Sequence, residues 1–356
     1  MRFIPIRKLR EGDILACDII MDKTRTMLRT GVRLSQQNIT RLREIGFCGA
    51  YIKDELSEGI CVNSVVEEQL KHHAMAEVEK LFAGAIDLGR ASKPDTANIH
   101  IIAKEMVSQV LEKKHLVVNI INLRSYDDYT FSHCVNVAVI AAVIGAALGL
   151  DKNELCSLSV GALLHDIGKM MVPKEIINKK GRLTGEEYAV MKQHCRLGYE
   201  YLSPLDSLSD AARLSSLIHH EYFNGTGYPN KLSGNDIHLF GRIICVSDIF
   251  DTLTSDRPYR KALNASDAME YIMSGYGTMF EPAIVDAFTR KIAPYPVGSL
   301  IRLSTGDTAI VVENFESAGL RPKVRIIRDN KPTSNQLDLL HDINARNITI
   351  QETVNL

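Results

Sequence analysis

The sequence predicts a mainly α protein: a multi-helix bundle preceded by a small α+β module, and three observations carry that prediction. From residue 116 to 293, apolar residues recur at helical spacing almost without interruption. From 63 to 115 the chain is charged and again helical in period, whereas residues 1–62 alternate short apolar runs with turn residues. At 356 residues, with 45% hydrophobic and 24% charged side chains, there is ample material for a buried core.

In residues 1–62, the apolar runs 14–16, 19–21 and 50–52 read as strands, separated by turns at Glu11-Gly12-Asp13 and Thr30-Gly31. Between them, Ile39, Leu42 and Ile45 step along one face of a helix that Ser35 is suited to cap. This module holds no Gly-rich phosphate loop and no metal-ligand spacing, so a sensory or packing role is expected. Residues 65–82 and 99–112 read as two helices around a polar break at 91–95, a helical connector (63–115) or dimerisation stalk. His72, His73, His100 and His115 lie here and read as surface or satisfied histidines.

Phe131–Leu150 is twenty residues without an acid, Lys or Arg, long enough to span a bilayer. His133 and Asn136 on its first turns would be costly in lipid, so a buried core helix is expected. Lys and Arg total 42 against 43 Asp and Glu, a net charge of -1, which gives no reason to expect binding to a nucleic-acid polymer or a membrane surface. Seven scattered cysteines without CxxC spacing fit reduced thiols in a cytoplasm. The opening MRFIPIRKLREGD lacks the apolar stretch of a signal peptide.

The unusual residues sit in the helical region. His133 lies near the start of the apolar helix, His165 and Asp166 in GALLHDIGKMMVP, and His194 in MKQHCRLG, after the capping-box spelling Thr184 to Glu187. His219 and His220 open HHEYFNGTGYP, and Asp248 lies in RIICVSDIFDTL. Steps of 25 to 32 residues separate successive sites, each fitting one helix, a turn and the return of the next. An up-down bundle can therefore bring all seven to one level of its core.

Five imidazoles and two carboxylates exceed the needs of one tetrahedral ion and suit two metals, with Asp166 as the natural bridge. A mixed nitrogen and oxygen donor set without thiolate favours iron or manganese. Two such ions activate a shared water as a hydroxide nucleophile near neutral pH. Adjacent helical residues diverge by about 100°, which would send His219 and His220 to different ions.

Lys169, three residues after Asp166, shares its helical face and can meet a phosphate oxygen. Arg257 and Arg260 in SDRPYRKAL are placed to clamp a phosphate, and Tyr228 offers a ring for a nucleobase. Metals, phosphate clamps and a stacking ring together imply phosphodiester hydrolysis. Glu221 has two readings, an orienter of the adjacent histidines or a structural carboxylate. Cys134 and Cys195 each adjoin a candidate ligand and read as packing thiols that face elsewhere.

HDIGK at 165–169, HHEYFNGTGYP at 219–229 and SDIFDTLTSDRPYR at 247–260 closely resemble the HD-GYP family, the HD-superfamily phosphodiesterases that degrade cyclic di-GMP in bacteria. The resemblance covers about half the chain, 116–293, and implies an HD-type bundle as the catalytic core. It implies too that residues 294–356 form a short β-rich extension, and the N-terminal module is similar to ones that precede the core in some members.

It further implies that His133, His165, Asp166, His194, His219, His220 and Asp248 are metal ligands. Asp166 and Lys169 then act at the reacting phosphate, Arg257 and Arg260 hold substrate phosphates, and Tyr228 stacks on guanine. Some members carry a glutamate, associated with a third metal, four residues before the first histidine; here that position is Tyr129. Two divalent ions, and linear pGpG as product with onward cleavage to GMP left open, follow from that departure. The rival readings are a hydrolase of another cyclic dinucleotide such as 3′,3′-cGAMP, and a weakly catalytic sensor acting through protein partners such as diguanylate cyclases. A homodimer is compatible with either.

Overall fold

The computed structural model describes residues 1–22, 25–45, 47, 49–86, 95–113, 117–119, 129–179, 181–255, 262–316, 318–329 and 331–354. The N-terminal module contains strands β1 (Arg2–Pro5), β2 (Ile14–Leu15), β3 (Ile19–Asp22) and β4 (Arg25–Leu28), then helix α1 (Gln36–Glu44) and strand β5 (Gly49–Lys53). β5 lies between β1 and β2, antiparallel to both, while β3 and β4 pair separately. The Ser35 hydroxyl accepts from the Asn38 N–H and Asn38 reciprocates, a capping box that fixes where α1 begins. Its face bearing Ile39 and Leu42 packs with Leu15, Leu34 and Ile52.

Helices α2 (Glu68–Ile86) and α3 (Ala97–Glu112) follow, close to the spans expected from periodicity. Their apolar stripes, including Val78, Phe82, Ile102 and Met106, are buried in the same core as the central bundle. The region expected as a connector or stalk thus spends its apolar face on this chain's own core. His100 departs from the expectation of a surface or satisfied histidine: its Nε2 is buried without a hydrogen-bond partner among the described residues. His115 lies outside them.

Helix α4 (Tyr129–Ala147) is the axis of the bundle, packed by α2, α3, α5 (Lys152–Leu164), α10 (Leu239–Thr254) and α12 (Pro282–Lys291). Every residue from Ser132 to Ile144 is buried, and only the ends of the helix are partly exposed. The span Thr130–Ala147 is apolar enough to cross a membrane, but 78% of it is buried among other helices, as expected of a core element. Between α5 and α10 run a 3₁₀ turn (Ile167–Met171) and the short helices α6 (Lys174–Ile177), α7 (Gly185–Met191), α8 (His194–Leu202) and α9 (Asp210–Ile218). α11 (Ala265–Ser274) precedes α12.

Two close approaches set the level of the bundle where function is concentrated. A Cβ on Gly168 would lie 1.9 Å from the His194 carbonyl oxygen, and one on Gly198 would lie 2.3 Å from Ser216 Oγ. The glycines therefore let the 3₁₀ turn and α8 meet backbone to backbone and let the Ser216 side chain of α9 close on α8.

Five antiparallel strands close the chain: β6 (Leu300–Leu303), β7 (Thr308–Glu313), β8 (Lys323–Arg328), β9 (Lys331–Asp338) and β10 (Ile350–Thr353), in the order β10-β6-β7-β8-β9. Side chains alternate between faces. Ile301, Leu303, Val311, Val324 and Ile326 fill one side, while Leu300, Ile310 and Ile327 meet Leu56 and Ile60 on the other. Arg325, on that second face, donates to the Glu58 carbonyl at 2.8 Å, so the sheet is tied to the segment that follows β5.

Candidate metal centre

Six of the seven expected ligands come from helix ends or from the turns beside them, or from α10, and His133 comes from the buried axis α4. His165 caps the C-terminus of α5, Asp166 begins the 3₁₀ turn, His194 is the first residue of α8, and His219 caps α9 with His220 following. Asp248 faces inward from α10. Tyr129 opens α4 one turn before His133.

The structure brings all seven together. Asp166 lies at the centre: Oδ2 is 3.3 Å from His165 Nε2 and 3.6 Å from His133 Nε2, while Oδ1 is 3.5 Å from His194 Nε2 and 3.8 Å from His219 Nε2. Asp248 places Oδ1 3.1 Å from His133 Nε2 and Oδ2 3.6 Å from His220 Nδ1. Lys169 reaches back to Asp166 Oδ2 from the next turn, with a side chain that is 24% exposed and so open to a ligand.

Four of the imidazoles are locked through Nδ1. His165 hydrogen-bonds the Ala162 carbonyl at 2.7 Å, His194 the Met191 carbonyl at 2.8 Å and His219 the Ser216 carbonyl at 2.9 Å. His133 Nδ1 pairs with Asp251 Oδ2 at 2.7 Å, and Asn136 donates to the other oxygen of Asp251 at 2.9 Å. A carbonyl or carboxylate at Nδ1 fixes the proton there and leaves the Nε2 lone pair for a metal.

These residues fit a metal by their own chemistry. His165 Nε2 and Asp166 Oδ1 are fully buried with no hydrogen-bond partner among the described residues, a costly arrangement unless a cation completes it. The ligand atoms fall into two groups, His133 with His165 and Asp166, and His194 with Cys195, His219 and His220.

Two expectations need correction. His219 and His220 do not diverge: their rings lie 4.1 Å apart at 45°, because α9 ends at Ile218 and a turn replaces the helical rotation. Cys195 does not face elsewhere either. Its sulfur is 3.5 Å from His194 Nε2, since at the first turn of α8 the His194 ring folds back toward Met191 and across its neighbour. Cys134 is buried in the core as expected.

Electrostatics follow the geometry. Burial acts to raise the Asp166 carboxyl, but Lys169 and His165 beside it outweigh burial and hold it well below the usual carboxylate range. Asp248 is likewise held low, burial being outweighed by His133 and His220. Burial pushes His194 down to about 4 against the opposing pull of Asp166, and it pushes His219 well below its ordinary value. Both imidazoles are thus neutral and ready to ligate at neutral pH. An unfolded chain takes up protons on these histidines near pH ~6.5 while the folded, metal-free chain does not. The metal-free protein is therefore expected to lose stability as pH falls from about 7 to about 5. A melting temperature that stays flat across that range, read by calorimetry, would contradict this.

The loop that follows is anchored by Glu221, whose 1% exposed side chain accepts from the Asn230 N–H at 2.7 Å and the Leu232 N–H at 3.1 Å. Of its two expected readings, the structural one matches these bonds. Gly227 has no room for a Cβ, which would sit 2.3 Å from the Tyr222 nitrogen. This close approach, with the Tyr228 N–H donating to the His220 carbonyl at 3.1 Å, stacks the Tyr228 ring on His220 at 4.7 Å, inclined by 29°. Arg257 and Arg260 lie outside the described residues.

Sequence reasoning missed Asp251 as the partner of His133. A signal was there: Asp251 follows Asp248 by three residues and Asn136 follows His133 by three, so each shares a helical face with a ligand.

An HD domain family model matches residues 105–284, half of the chain. The chain belongs to the HD domain family. The HD domain begins within α3, in keeping with the burial of that helix in the bundle. The chain is similar to the cyclic di-GMP phosphodiesterase PA4108 of Pseudomonas aeruginosa, with 34% identity over 267 residues, 73% of this chain and 64% of that protein. It is also similar to the 3'3'-cGAMP-specific phosphodiesterase 2 of Vibrio cholerae, 34% identical over 175 residues, 49% of this chain and 34% of that protein. The chain thus spans less than two thirds of the length of either relative. Among solved structures, Bd1817, a HDG"Y"P protein from Bdellovibrio bacteriovorus, shares the fold, with a TM-score of 0.54 at 16% identity over 80% of this chain and 97% of that one.

Proposed function

We propose that the protein is a metal-dependent phosphodiesterase that opens cyclic di-GMP to linear pGpG. The observation that carries this reading is the pair of ligand groups on either side of Asp166, whose two oxygens face different histidines. Such a carboxylate suits a bridge between two divalent ions, with iron or manganese favoured by the nitrogen and oxygen donors. His133, His165 and Asp248 would hold one ion, His194, His219 and His220 the other, with Asp166 shared. Bound there, the ions supply Lewis acidity to a phosphoryl oxygen and make a water acidic enough to attack.

The chain's own groups supply the rest. Lys169 is held by Asp166 with its side chain partly exposed, where it can meet the phosphoryl oxygen that gains charge. The buried carbonyls and Asp251 fix the Nδ1 side of the imidazoles and keep them aimed, so no reorganisation is needed as the reaction proceeds. Tyr228, fixed against His220, forms a wall for a base, and Arg257 and Arg260 would supply cations for substrate phosphates.

The test is turnover by chain purified without oxygen and loaded with iron(II) or manganese(II), with products separated chromatographically. Linear pGpG is expected. No linear product with either metal would sink the reading. A rate on 3′,3′-cGAMP well above that on cyclic di-GMP would favour the second cyclic dinucleotide, toward which the Vibrio relative's specificity points.

A further inference from the structure

A second group of side chains stands beside the metal centre, on the helix that immediately precedes His194. Helix α7 starts at a capping box in which Thr184 and Glu187 satisfy one another's backbone, and Lys179 pairs with Glu187 at 2.6 Å, so its position is fixed. One turn apart on it are Tyr188 and Lys192, the latter two residues before His194. The Tyr188 ring meets Tyr228 edge-on at 6.3 Å and is 47% exposed. Lys192 places its Nζ 5.0 Å from the Tyr188 ring centre and 5.7 Å from that of Tyr228. Among the described residues no carboxylate pairs with this ammonium.

Contacts with two rings at an exposed site stabilise an ammonium only weakly and use none of its hydrogen-bond donors. The rings set where the charge sits, and the charge is left available for an anion. From the metal centre outward the order is His220, Tyr228, then Tyr188 with Lys192. A phosphodiester engaged at the metals does not use this outer position unless its ligand carries a second phosphate and a second base. Two phosphates and two bases joined in one ring are the defining groups of a cyclic dinucleotide.

Resting on the phosphodiesterase reading above, we infer that Lys192 and Tyr188 form the subsite for the uncut half of the substrate, Lys192 taking the second phosphate and Tyr188 the face of the second base. The ammonium is a specificity determinant rather than part of the reacting centre. It raises the affinity for a two-phosphate ligand and leaves the rate of the chemical step alone.

The test compares Lys192→Met, which keeps the unbranched stem over the rings and removes the charge, with Lys192→Arg and Tyr188→Leu in the full, metal-loaded chain. Two probes are used: cyclic di-GMP, with its cleavage-resistant phosphorothioate analogue for equilibrium binding, and bis(4-nitrophenyl) phosphate, which has one phosphate only. Lys192→Met is expected to weaken binding of the analogue and raise KM for cyclic di-GMP by about tenfold, the loss of a charged hydrogen bond. The kcat stays within about threefold, and turnover of the one-phosphate probe is unchanged. Lys192→Arg restores most of the affinity, and Tyr188→Leu weakens it by about tenfold through lost stacking.

Unchanged affinity in Lys192→Met overturns the subsite and leaves the phosphodiesterase reading standing. Equal slowing of both probes overturns it too, because it would place the damage at the metals. Lys192-dependent binding by a chain that cuts no cyclic dinucleotide keeps the subsite and removes the phosphodiesterase reading. If the wild-type chain binds no analogue, both fall.

Discussion

Asp166→Asn is expected to strip the protein of its metal and its activity together. The carboxylate is the one group within 4 Å of four different imidazole Nε2 atoms, and its two oxygens divide them into pairs. An amide of the same shape offers one acceptor oxygen and one donor, so at least one pair would face N–H groups. It also carries no charge to offset two cations. If Lewis acidity contributes several kcal/mol to the rate, and each ~1.4 kcal/mol is tenfold, turnover should fall by about 10³-fold or more. Metal content measured on the purified variant should drop below that of wild type in parallel. The fold should survive, because the site is ringed by the core of α4, α5 and α10 rather than being its source of cohesion. A variant that keeps its metals and loses only rate would show that Asp166 does not bridge.

How much of this was legible beforehand depends on the kind of signal. The helices of the bundle could be read because burial imposes a pattern on them: Val137 to Ile144 in α4 is apolar all round because the helix is covered all round. The seven residues of the centre could be read as a set because their spacings match helix lengths, although each histidine alone is uninformative. Local caps at Ser35 and Thr184 also read correctly, since a capping box is a contact between near neighbours in sequence.

What could not be read was anything set by three-dimensional closeness of distant segments. Asp251 is 118 residues from His133, and its place on the Asp248 face marks it as a neighbour of the site without naming His133 as its partner. The side-by-side rings of His219 and His220 escaped because the helical rule was applied one residue past the helix end. Cys195 was misplaced by the same habit at a helix start, where the first turn has no preceding turn to define an outer face. The burial of α2 and α3 in the bundle is likewise invisible in an amphipathic stripe, which shows that a face is covered but not by what.

Asp251 also yields the second large expected effect. It touches no reacting group, yet its Oδ2 holds the His133 Nδ1 at 2.7 Å and its Oδ1 is held by Asn136 at 2.9 Å, in a side chain only 3% exposed. It is a positioning residue: with the Nδ1 proton fixed, His133 presents the Nε2 lone pair beside Asp248. Asp251→Ala removes that bias, lets the ring turn and leaves Asn136 without an acceptor. Metal affinity is expected to fall about 10- to 100-fold. Asp251→Asn should lie between, because its oxygen can serve His133 only if Asn136 turns its own amide over. The measurement is metal titration followed by both activity and direct metal content. Activity of Asp251→Ala should return toward wild type as metal is raised, which loss of a merely structural contact would not produce. If the affinity is unchanged while the melting temperature alone falls, Asp251 supports the fold and not the ligand.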